Sequence, residues 1–151
     1  MLISIGNDIL GDDAAGFIIG DKLGELLKTE NNRMNSISLD MLDLMTGGKN
    51  LILIDTVCVP GKEIGLVFRF DLDEFDEYIH LTSPHSINVP TMLKLAGLYG
   101  NVPENIHLYG INIENKLVFS ENLSPELESK VNSITDYIYR DYLKDRKADN
   151  E

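Results

Sequence analysis

The chain has 151 residues, 43% of them hydrophobic, which is enough to bury one sizeable core and predicts one domain. Thirteen Lys and Arg against twenty-five Asp and Glu leave a formal net charge of -12, a surface that repels nucleic acid and anionic membranes. The single Cys58 excludes an internal disulfide and a cysteine-rich zinc module, and the absence of a leader-like start or a long apolar run predicts a cytoplasmic chain without membrane insertion. Leu2, Ile3 and Ile5 form a short apolar run suited to a buried strand, punctuated by Gly6-Asn7. After Gly11-Asp12-Asp13, the positions Ala15, Ile18, Ile19, Leu23, Leu26 and Leu27 recur at helical spacing, predicting a helix over 13–28. Adjacent carboxylates between a strand and a helix stand where α/β sheets form sites. Asp12 is equally explained as a helix cap. That explanation covers Asp13 less well, so Asp13 is a candidate site residue.

Lys28 to Asn35 reads as a polar turn, Ser36 to Leu39 as a second strand, and Asp40 to Met45 as a short helix ended by Gly47-Gly48. Leu51 to Ile54 is continuously apolar, as in a central strand covered on both faces. Asp55 follows at its carboxyl end. Burial of an acid without partners is costly, which makes Asp55 a candidate at the same sheet edge as Asp13. Cys58 reads as a small core residue rather than a nucleophile. Pro60-Gly61 marks a turn, Gly65 to Phe70 another strand, and Asp71 to Glu77 an acidic solvated segment with His80 at the surface beyond it. Pro84 and Pro90 restrict the backbone on either side of His85, which serves either a structural hydrogen bond or a site. A helix follows, presenting Met92, Leu93 and Ala96.

Ile106 to Glu114 reads as the last major strand, with His107 a satisfied side chain within it and Glu114 at its exit. Ser124-Pro125 opens the final helix, and Leu127, Val131, Ile134 and Ile138 form its packing face. Strands near 1–6, 35–39, 50–55, 65–70 and 105–111 alternate with helices near 13–28, 88–98 and 125–142. This pattern predicts a three-layer α/β/α sandwich with a mostly parallel, twisted central sheet of about five strands. The domain is expected over 1–143, with a polar tail at 144–151.

Asp13, Asp55 and His85 all fall at loops or element ends. Two oxygen ligands and one imidazole suit a divalent first-row metal, nickel and zinc included. No serine stands in a G-x-S-x-G elbow, the glycine spacing of GNDILGDDAAG misses both phosphate-loop and dinucleotide patterns, and no H-E-x-x-H helix occurs.

Taken in order, Gly6-Asn7 with Leu10, Asp12-Asp13-Ala14-Ala15-Gly16, Leu53-Ile54-Asp55, Ser83-Pro84-His85, Gly110-Ile111-Asn112-Ile113-Glu114 and Leu123-Ser124-Pro125-Glu126-Leu127-Glu128 resemble the motifs of the nickel-iron hydrogenase maturation endopeptidases. The resemblance reaches across nearly the whole domain. It implies an endopeptidase that removes a C-terminal extension from a nickel-loaded large-subunit precursor; separately, the chain is expected to be a monomer. It also implies that Asp13, Asp55 and His85 contact nickel supplied by the substrate, with Asp13 or Asp55 as carboxylate base and no organic cofactor. Asp13 stands where relatives often carry glutamate and so shortens that ligand by one methylene. Leu39-Asp40-Met41-Leu42-Asp43 departs from the glycine-containing sequence many relatives have there. Asp40, Met41 and Leu42 are therefore candidate substrate-binding residues, the two bulky side chains narrowing a peptide groove. A non-proteolytic nickel-binding chaperone would use the same side chains and is the alternative.

Overall fold

Leu51, Ile52, Leu53 and Ile54 are each 3% exposed or less, because the strand that carries them is covered on both sides. This strand is the centre of a computed structural model that describes residues 1–45, 48–75, 89–100 and 102–148. Its strands are β1 (Leu2–Ile5), β2 (Asn31–Met34), β3 (Asn50–Val57), β4 (Val67–Phe70) and β5 (Asn105–Asn112), arranged in the order β2-β1-β3-β5-β4. The first three and β5 run parallel; β4 alone is antiparallel, against β5. The predicted α/β fold with a mostly parallel five-stranded sheet is what the chain adopts.

The alternation of side chains along β3 divides the interior in two. Leu51, Leu53 and Val57 join Ile3, Ile5, Met41, Met45, Val89 and Met92 on one face. Ile52 and Ile54 join Ala15, Ile19, Leu23, Ile134 and Ile138 on the other. The first face is covered by α2 (Met41–Met45) and α4 (Val89–Tyr99), the second by α1 (Ala15–Leu27) and α6 (Val131–Ala148). Two one-turn helices, α3 (Leu72–Phe75) and α5 (Pro125–Glu128), complete the set. Helix α1 lies close on the sheet because Gly16 has no side chain: a Cβ there would stand 2.2 Å from the Ile5 carbonyl oxygen.

Three boundaries differ from the sequence reading. The second strand is Asn31–Met34, inside the segment expected to be a turn, and not 35–39. It is an edge strand paired only with β1, so it needs no apolar alternation; Asn31 bonds Asp21, and Asn32 Nδ2 donates to the Leu2 carbonyl at 3.0 Å. Ile37, the apolar residue that suggested a strand further on, enters the core from a loop. The first helix begins at Ala15, after a 3-10 turn over Gly11–Ala14. The last helical segment is broken in two between Glu128 and Val131, and α6 runs on to Ala148 rather than ending near 142. Among the described residues, no helix is long and apolar enough to cross a membrane.

Candidate active site

All four parallel strands finish at one edge of the sheet, and the loops that leave them build the site. After β1 the chain folds back over its own end. Gly6 N–H donates to the Met34 carbonyl at 3.2 Å, and Asp13 N–H donates to the Leu10 carbonyl at 3.2 Å. A Cβ on Gly6 would lie 2.4 Å from the Asp13 carbonyl oxygen, so only glycine lets the 3-10 turn settle at this depth. The turn carries Asp13 into the interior, where it is fully buried.

The partner it meets there is Thr56 near the end of β3. The Thr56 hydroxyl donates to Asp13 Oδ1 at 2.6 Å, and the Thr56 amide donates to Asp55 Oδ1 at 2.7 Å. Asp55 is 2% exposed and Thr56 is fully buried. The two acids are therefore separated by no more than one threonine and two hydrogen bonds. The strand pleat places Thr56 on the Ile52 and Ile54 face and Asp55 on the Leu51 and Leu53 face, so this single residue joins acids that approach from two sides of the sheet. Cys58 reports the same proximity: burial foremost, then the charges of Asp13 and Asp55, push its thiol up. A thiol held protonated suits a core residue and not a nucleophile, in line with the sequence reading.

The neighbouring Asp12 has a different occupation. Its Oδ1 accepts the Ser124 amide at 2.6 Å and its Oδ2 the Ser124 hydroxyl at 2.9 Å. Ser124 Oγ in turn accepts the Leu127 amide at 3.3 Å, capping α5. Asp12 thus ties the turn to the start of a helix more than a hundred residues away, rather than capping its own helix. Two adjacent carboxylates are sent to opposite tasks, one to a distant backbone and the other into the sheet edge.

Asn112 stands at the end of β5, opposite Val57 in register. It is 1% exposed; its Oδ1 accepts the Val59 amide at 2.8 Å, and its Nδ2 donates to the Lys62 and Glu63 carbonyls at 3.0 Å each. These bonds fix the loop after β3 and frame a cavity of about 200 Å³, which Cys58, Val59, Pro60, Ile113 and Glu114 also line. Glu114 is largely exposed at its rim, 3.9 Å from Lys116.

Asp13 and Asp55 are thus brought together. Asp40 is exposed just before α2, with Ser38 Oγ 3.5 Å from its Oδ2. Met41 is 1% exposed in the core beneath, and Leu42 packs half-buried against the same core. His85, Ser83-Pro84 and His80 lie outside the described residues. Among the described residues, no group of three or more His, Cys, Asp and Glu side chains is arranged to hold a metal ion. Thr56 and Asn112 were not singled out by the sequence reading. A hydroxyl residue directly after an acid that closes an apolar run, and an amide inside an apolar strand, are the signals that could have found them.

The model of the family HycI, hydrogenase maturation protease, matches residues 36–141. Among solved structures, the hydrogenase maturating endopeptidase HybD from E. coli superposes with a TM-score of 0.70 at 19% identity, covering 95% of this chain and 91% of that one. The [NiFe] hydrogenase maturation protease HybD from Thermococcus kodakarensis gives 0.68 at 21% identity, covering 92% and 95%. The [NiFe] hydrogenase maturation protease HycI from Thermococcus kodakarensis KOD1 gives 0.67 at 20% identity, covering 92% and 88%. At these identities the structural likeness speaks for the fold. No curated protein matches the chain.

Proposed function

The chain belongs to the hydrogenase maturation protease family and is a hydrogenase maturation endopeptidase; from that premise we propose that it removes a C-terminal extension from a nickel-loaded large-subunit precursor of a [NiFe]-hydrogenase. The observation that carries this reading is the pair of buried acids, Asp13 and Asp55, sharing Thr56 at the carboxyl edge of the sheet. Two acids gathered in the interior at a sheet edge are the kind of arrangement where chemistry is done.

In this reading the nickel arrives with the precursor and is contacted by Asp13, Asp55 and His85; no organic cofactor is required. Held by these residues, the metal would serve mainly to position the peptide. Asp13 or Asp55 takes a proton from water as the water oxygen bonds to the carbonyl carbon. The carbon–nitrogen bond then breaks, and the proton held by the carboxylate passes to the departing amine. Asp40 and Leu42 border the path of the precursor tail, and Met41 shapes that wall from within the core. The enzyme works in the cytoplasm as a monomer.

The test is to incubate the protein with its cognate precursor, with and without inserted nickel, and to measure product mass. The expected result is loss of one C-terminal peptide from the nickel-loaded form alone. Site-specific cleavage of the nickel-free precursor at a similar rate would overturn nickel recognition. Nickel-dependent binding without shortening would mark a nickel-binding assembly chaperone instead.

A further inference from the structure

We propose that Thr56 is a positioning residue for the hydrolytic step: its hydroxyl and its amide set Asp13 and Asp55 against each other. This inference rests on the reading of those two acids as the site. Three observations converge on Thr56. Its hydroxyl is 2.6 Å from Asp13 Oδ1 and its amide 2.7 Å from Asp55 Oδ1, so one residue bonds both acids. All three residues are 2% exposed or less, where a hydrogen bond to a carboxylate is strong and its direction is not averaged by water. The backbone of Asp13 is also pinned from behind, at the spot where a Cβ on Gly6 would come within 2.4 Å of its carbonyl oxygen.

Main chain and side chain of Asp13 are therefore held at two points. An aspartate side chain has only two rotatable bonds, so fixing Oδ1 on Thr56 also fixes where Oδ2 stands. The shorter acid at this position makes that constraint tighter than it would be for a glutamate. On the other acid, the amide bond to Oδ1 holds the Asp55 carboxylate against its own backbone, a local side-chain-to-backbone geometry that limits its rotation. The strand pleat turns Asp55 and the Thr56 side chain to opposite faces, and the threonine between the two acids converts that separation into one fixed relation.

A structural role alone predicts that Thr56 matters only for folding. A positioning role predicts more: the hydroxyl is needed for turnover, while the precursor is still bound. The variants are Thr56→Val, which keeps the shape and removes the donor, and Thr56→Ser, which keeps the donor. Thr56→Ala is the second donor-free variant should valine disturb folding. Processing of the nickel-loaded precursor is followed for kcat and KM separately, alongside thermal melting and the carboxyl carbon resonance of Asp13. The valine and alanine variants are expected to lose about 10- to 100-fold in kcat with KM within about twofold. The Asp13 resonance should move in both, and serine should restore rate and resonance together. Wild-type kcat in a folded donor-free variant would overturn the proposal, as would a serine variant as slow as valine. A wild-type enzyme that leaves the nickel-loaded precursor intact would overturn the functional reading itself, a result separate from either of those.

Discussion

Among the described residues, two polar clusters on the sheet, one partly exposed and one buried, are built on opposite plans. Toward the outer strands, Arg69 pairs with both Asp141 and Asp145, the Tyr109 hydroxyl donates to Asp141 at 2.9 Å, and His107 Nδ1 lies 3.4 Å from Asp145. Acids there are answered by a guanidinium. At the carboxyl edge, two acids share the donors of one threonine. The first arrangement balances charge and holds α6 to β4 and β5. The second brings two carboxyl groups together in the interior around one threonine, an arrangement expected where function requires it. The same contrast recurs at short range in Asp12 and Asp13, one tied to a helix start and the other carried into the buried sheet edge.

The strongest way to break the contrast is to delete the acids. Asp55→Ala and Asp13→Ala are each expected to lower processing of the nickel-loaded precursor by about 10²- to 10⁴-fold. Arg69→Gln should leave the rate within twofold, as measured by product mass over time. Equal losses from both clusters would erase the distinction between them.

Next in size is Gly6→Ala, whose methyl group would meet the Asp13 carbonyl oxygen at 2.4 Å. The turn must shift, at an expected cost of about 1–3 kcal/mol in a urea titration. Processing should fall with it, because Asp13 moves. An alanine variant of wild-type stability and rate would show that the turn is not held as tightly as the contact implies.

Asp12→Ala sharpens the comparison within the adjacent pair. It removes two bonds to Ser124 and is expected to destabilise the chain by about 1–2 kcal/mol. Processing should stay within a few-fold of wild type. A loss as deep as that of Asp13→Ala would mean that both acids serve the reaction.

The smallest expected effect is on acid stability. The side-chain bond from Arg69 is the main cause holding the Asp145 carboxyl below its ordinary value, opposed by burial and aided by the charges of Arg69 and His107. A carboxyl depressed in the folded state contributes stability above its unfolded pKa, near about 4, and loses it as pH falls through the folded value. The wild type should therefore lose stability on acidification below about pH 4, and Arg69→Gln should flatten that slope. Parallel stability–pH curves for the two proteins would remove Asp145 from the account.

Local pattern was enough for much of this. The run Leu51 to Ile54 could only be a strand covered twice, and Leu127, Val131, Ile134 and Ile138 share a helical face whether or not the helix is broken between them. Asp13 and Asp55 were legible because an acid beside apolar runs, at an element end, has few bland explanations. The strand Asn31–Met34 was not legible, since an edge strand satisfied by asparagine side chains leaves no apolar period to read.

What the sequence by itself determined was most of the elements, their alternating order, and which acids stand near the carboxyl edge of the sheet. These follow from periodicity and from the cost of burying charge, both of which act within a few residues. Only the tertiary structure decided how the acids are used. Asp12 and Asp13 are neighbours with the same chemistry, and nothing local assigns one to Ser124 and the other to Thr56. That assignment depends on Gly6 letting the turn drop onto β1 and on β3 lying beside β1 in parallel, contacts between segments distant along the chain that no local pattern encodes.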